Sequence, residues 1–131
     1  MKTLAQTLFA FLILGLILSI SAAERSSTTT AKLRHVVAFK FKQSATGDQI
    51  KQVEDAFRDL KKKIKEIQSY EWGTNVSPEK HDKGFTHGFI LSFKTEKDRD
   101  TYLHHADHAA FGKMLGPILG DVFVIDFWAE K

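Results

Sequence analysis

The stretch LRHVVAFKFK, Leu33 to Lys42, decides the fold, because its alternation suits only one kind of backbone. Leu33, His35, Val37, Phe39 and Phe41 recur at every second position, the spacing that puts side chains on one face of a strand. Val36 and Ala38 make the opposite face partly apolar too. A strand of this kind is covered on both sides, so two layers must pack against it.

Downstream the period changes. Thr46 is a good N-cap, and Ile50, Val53, Phe57, Leu60 and Ile64 then recur at helical spacing among Lys, Glu, Asp and Arg. An amphipathic helix of about five turns follows from that pattern. Ser69 to Val76 is expected to be a second strand, closed by Pro78 and a charged loop through Gly84. Thr86 to Phe93 is a third, with His87, Phe89, Leu91 and Phe93 on one face.

Thr95 with Asp98 resembles a capping box and opens a second helix carrying Tyr102 and Leu103. Asp107 is expected to cap a further short helix through Leu115, ended by Gly116-Pro117. Val122 to Trp128 reads as a last strand, apolar on both faces. The order β-α-β-β-α-β is a split βαβ pattern of the ferredoxin-like kind, an α+β class with an antiparallel sheet. Helices occupy one face of that sheet. The first, third and last strands leave too much apolar surface on the other face to stand in water. A homodimer closed face to face is the simplest solution.

The chain has 131 residues, no cysteine and a formal net charge of +3. Met1 and Lys2 precede an apolar run, Leu8–Leu18, and then Ser21-Ala22-Ala23. This is the pattern of a secretory signal peptide over residues 1–23, with cleavage expected after Ala23. The apolar run falls short of the ~20 residues that a retained membrane anchor needs. Residues 24–32, rich in Ser and Thr, are a flexible polar tether, and residues 33–131 form one domain. A secreted or periplasmic protein without membrane contact after cleavage is expected, stable without disulfides. The dense basic run Lys61-Lys62-Lys63-Ile64-Lys65 is the solvated end of a helix, where cations suit the dipole. No basic face with interleaved aromatics is present, so nucleic acid is not an expected partner.

Histidines concentrate in HHADHAAFG, residues 104–112, which holds three of the six. His104 and His108 are four apart, a spacing used by helical zinc ligands, but no second pair or cysteine supports a metal site. No metal is expected. His35 and His87 share strand faces with Val37, Phe39, Phe89 and Leu91. A lone histidine there is usually a satisfied core group; two, with a helix-borne third, mark a cavity. His104 and His105 are given no role.

Three segments, Leu33–Lys42, Gly84-Phe-Thr-His87 and Tyr102–Gly112, together resemble the stress-responsive dimeric α/β-barrel (Dabb) family. The resemblance covers nearly all of residues 33–131 and implies a dimeric ferredoxin-like barrel. One plant branch of that family is a polyketide cyclase that closes a linear polyketide by an intramolecular aldol step, without metal or cofactor. The resemblance implies His108 and Tyr102 as catalytic base and donor, with His35, His87, Phe57 and Phe89 in the binding pocket. Phe57 stands where that branch has a second tyrosine, and His105-Ala106 replaces its usual His-Pro step. The expected ligand is a small apolar or polyketide-like organic molecule, with cofactor-free lyase or cyclase chemistry. Two other functions fit the same fold. One is a non-catalytic ligand-binding or stress-protective dimer. The other is a monooxygenase or haem-handling barrel using Trp72, Asn75 or a histidine.

Overall fold

The computed structural model describes residues 31–130, so the expected leader, its cleavage site and most of the tether lie outside the described residues. The elements run β1 (Leu33–Phe41), α1 (Gly47–Lys63), β2 (Ser69–Thr74), β3 (His87–Phe93), α2 (Glu96–Leu103), α3 (Ala106–Leu115) and β4 (Leu119–Trp128). All four strands join in one antiparallel sheet of order β2-β3-β1-β4. This is the expected ferredoxin-like β-α-β-β-α-β arrangement, with α2 and α3 sharing the place of the second helix.

Thr46 caps α1 through a full capping box. Its hydroxyl accepts from the Gln49 N–H, and the Gln49 side chain accepts from the Thr46 N–H. Two of the helix's orphan donors are thereby satisfied. Val53, Phe57 and Leu60 on α1 are buried, and Ile64 just past its end is fully so. They meet Leu33, Val37 and Phe39 from β1 and Phe89, Leu91 and Phe93 from β3. Phenylalanine dominates the centre: Phe57 lies 4.6 Å from Phe89 and 4.7 Å from Phe111, ring centre to ring centre.

Several boundaries differ from the sequence expectation: β3 starts at His87 rather than Thr86, and β4 at Leu119 rather than Val122. β2 ends at Thr74 rather than Val76, because Asn75 turns the chain by accepting the Ser77 N–H. Thr95 accepts from the Asp98 N–H as expected. A further correction bears on the site: α3 is capped by His105, not Asp107. The His105 ring Nδ1 accepts the Asp107 N–H at 3.2 Å, and Asp107 sits in the first turn.

The face of the sheet away from the helices is open. On it Phe123, Ile125 and Phe127 of β4 are each nearly half exposed. β4 is uncovered on its helix-side flank as well, where Val122, Val124 and Trp128 are exposed to a similar degree.

Candidate functional site

Register across the sheet assembles the site. In the β1–β4 ladder His35 stands opposite Asp126 and Val37 opposite Val124, so all four share the helix-bearing face. Above them α2 ends with Tyr102 and α3 begins with His108 in its first turn. The break between the two helices, at His104 and His105, separates these side chains in sequence while leaving them adjacent in space. Tyr102 lies 4.5 Å from His108 and 5.7 Å from His35, ring centre to ring centre.

The three rings line one cavity of about 330 Å³. Its walls are otherwise apolar, chiefly Val37, Phe39, Phe57, Phe111 and Leu115, with Asp126 beside His35. A largely apolar pocket with a few convergent polar groups is the usual form of a small-molecule site.

Hydrogen bonds fix the tautomers. The His108 Nδ1 lies 3.1 Å from the Leu103 carbonyl oxygen, which can only accept, so Nδ1 carries the proton and Nε2 is the basic atom. Burial lowers the His108 pKa, aided by the neighbouring His35; the bond to Leu103 opposes this without reversing it. His108 is therefore neutral in neutral solution. Burial raises the Tyr102 pKa well above the ordinary phenol range, so this hydroxyl stays a donor.

His35 is held from behind. Its Nδ1 donates to Asp126 Oδ1 at 2.7 Å, and Arg99 Nη1 donates to Asp126 Oδ2 at 2.5 Å. Burial alone would raise the Asp126 pKa, but the bonds from Arg99 and His35 outweigh it and keep the carboxylate ionised. An ionised carboxylate accepting from Nδ1–H orients the ring and leaves Nε2 as its basic atom. Neither Asp126 nor Arg99 was signalled by the sequence. The one available clue was an aspartate inside an otherwise apolar strand, which demands a partner.

Two expected pocket residues are elsewhere. His87 pairs opposite Phe39, four residues along β1 from His35, so it lies about 13 Å down the sheet. There it is buried, with Nε2 3.0 Å from Glu54 Oε1 and Nδ1 2.8 Å from Thr86 Oγ1. Both ring nitrogens are engaged, so neither is free for a ligand or a metal. Phe89 packs beneath the cavity against Phe39 and Phe57 without lining it. His87 and Phe89 instead border a second groove of about 670 Å³, reaching onto the open face, together with Trp72 and Asn75.

His104 and His108 do not form a metal pair. His104 caps the end of α2 while His108 lies in α3, and each ring is tied to a backbone carbonyl, Asp100 and Leu103 respectively. Among the described residues no three His, Cys, Asp or Glu side chains gather as a metal site. A further group escaped the sequence reading: the Tyr70 hydroxyl is buried without a hydrogen-bond partner, its ring 5.5 Å from Phe57.

Comparison with known proteins places these features. A stress-response A/B barrel domain-containing protein of Arabidopsis thaliana is 27% identical over 95 residues, spanning 72% of this chain and 87% of the relative. Olivetolic acid cyclase of Cannabis sativa is 22% identical over 99 residues, 76% of this chain and 98% of the cyclase. Among solved structures, hydroxynitrile lyase from Passiflora edulis superposes with a TM-score of 0.73 at 23% identity, covering 78% of this chain and 96% of the lyase. A dimeric ferredoxin-like protein of unknown function from Thermobifida fusca superposes with a TM-score of 0.66 at 24% identity, covering 77% and 93%. The model of the stress responsive A/B barrel domain matches residues 33–129, every described element included. On that match the chain belongs to the stress responsive A/B barrel domain (Dabb) family.

Proposed function

We propose that this chain is an exported, homodimeric, cofactor-free acid–base enzyme that makes or breaks a carbon–carbon bond beside a carbonyl. The observation that carries the reading is the meeting of His35, Tyr102 and His108 on one apolar cavity, with Asp126 orienting His35. A cyclase and a hydroxynitrile lyase among its relatives and structural neighbours support the reaction class.

In this mechanism the apolar walls take the hydrocarbon part of the substrate, and its oxygen-bearing end meets the three polar rings. His108 Nε2 removes a proton, either from a hydroxyl or from a carbon next to a carbonyl. In cleavage the hydroxyl oxygen becomes the carbonyl, the adjacent carbon–carbon bond breaks, and the leaving carbon takes its proton from the imidazolium. In condensation the carbanion adds to a second carbonyl instead, and the alkoxide so formed takes the proton back from the imidazolium. Tyr102 donates to the oxygen on which charge gathers, and a preformed donor is worth most in such a water-poor site. The dimer follows from the uncovered face of the sheet, and it agrees with the dimeric state of several structural neighbours. The leader-like pattern of residues 1–23 supports secretion.

Turnover of mandelonitrile to benzaldehyde, and cyclisation of a linear poly-β-ketone, test the chemistry directly. His108→Ala should reduce whichever rate is found by about a hundredfold or more. Tyr102→Phe should lower kcat more than it raises KM, because its donor acts on developing charge. Ligand-dependent thermal stabilisation without turnover of either substrate would replace the enzyme by a binding module. Mass spectrometry of exported protein should find Glu24 at the N-terminus.

A further inference from the structure

The sheet has two free edges, β2 and β4, and the cavity lies against one of them. Val122, Val124 and Asp126 form its β4 wall, and among the described residues no further strand and no helix covers it beyond β4. Val124 is 51% exposed although it lines the pocket. The wall is unfinished.

The open face shows what could finish it. Gly73, Gly88 and Ala38 stand opposite one another across β2, β3 and β1, and Phe123 completes the row on β4. A Cβ added to Gly73 or Gly88 would meet nothing within 4 Å, and neither glycine has a positive φ. Among the described residues nothing requires a glycine at either position. Bare strand glycines of this kind mark the close approach of something else. They floor the groove of about 670 Å³, while Phe123, Ile125 and Phe127 stand tall on the opposite flank.

A surface tall on one flank and hollow on the other is complementary to a second copy of itself. A two-fold axis along the strands lays each β4 flank over the partner's β2–β3 hollow, and does so twice. The same axis keeps strand directions. β4 runs antiparallel to β1 and β2 runs parallel to it, so β4 meets the partner's β2 antiparallel, as ladder pairing requires. Both unpaired edges disappear. Trp72 lies on the helix face of β2, opposite Phe89, and is 37% exposed. Continued across the new ladder, that face is the one bearing Val122 and Val124.

We propose that each cavity is completed by the other protomer, the partner's Trp72 closing the open wall beside Val122 and Val124. This rests on the cavity and homodimer of the preceding section and makes the site a shared one.

Two experiments on the full chain decide it. In the first, protomers carrying Trp72→Ala and protomers carrying His108→Ala are refolded together, with binding of 4-fluoroacetophenone followed by ¹⁹F line broadening. Each variant alone should bind poorly, Trp72→Ala by about tenfold. The mixed dimer should regain one site of wild-type affinity, built from an intact His108 and the partner's intact Trp72. Absence of recovery between folded, dimeric partners would overturn the proposal, because Trp72 would then serve its own chain.

The second experiment needs no ligand. The chain has no cysteine, so the double variant Trp72→Cys/Val124→Cys carries the only thiols. A short bis-maleimide should give a covalent dimer, and neither single variant should. Monomer alone on a denaturing gel would refute the shared wall. Cross-linking in a protein that binds no 4-fluoroacetophenone would leave the shared wall standing and end the small-molecule reading instead.

Discussion

His108 owes its neutrality to burial and to the histidine across the cavity, and that has a measurable sign. Its folded pKa lies below the ordinary value of about 6.5, so in acid the unfolded chain binds a proton that the folded chain refuses. Stability is therefore lost as pH falls below about 6.5, and His108→Gln should remove that part of the loss in pH-dependent urea melts. Asp126 also weakens the fold in acid, through a different group and at lower pH. Its depressed pKa contributes stability above the ordinary carboxylate value, lost as pH falls through the folded one. Asp126→Asn should cost about 1–3 kcal/mol at neutral pH and flatten the melting curve below about pH 4. Of this site the sequence displayed the rings but not their support. His35, Tyr102 and His108 could be read from strand phase and motif. Asp126 could not, because only the register of β4 against β1 sets it opposite His35. For the complementary reason His87 stands outside this cavity: it has the same face as His35 but a different height along the sheet.

The helices and strands were legible because their periods are clean. Every apolar position expected on α1 is buried or half-buried, and the cap at Thr46 is where the chain implies. Phe57 is the hinge between core and cavity, 1% exposed and stacked on Phe111. Phe57→Ala should destabilise the fold by about 3–5 kcal/mol in chemical denaturation while enlarging the pocket. The α2–α3 junction was less legible. Asp is a commoner cap than His, and the sequence offers His105 and Asp107 two residues apart with no period to choose between them. The outcome matters to the site, since capping by His105 makes His108 the third residue of α3, whereas a cap at Asp107 would make it the first.

At the scale of the molecule, the two faces of the sheet have different fates: one holds the core, the other awaits a second sheet. Gly88→Val tests this cleanly. A Cβ at this position meets nothing within 4 Å among the described residues, and valine suits a strand, so the protomer should fold normally. The dimer should dissociate at protein concentrations where the unmodified chain sediments as a two-fold particle. The distribution of aromatics carries one more consequence. The interior is a phenylalanine core, whereas the chain's two tryptophans, Trp72 and Trp128, stand partly exposed on opposite rims of the sheet. Intrinsic emission is thus deaf to the interior and tuned to the rims. It should shift to the blue as protein is concentrated from nanomolar to micromolar. An unfolding curve followed at those wavelengths will report the parting of the rims before the phenylalanine interior dissolves.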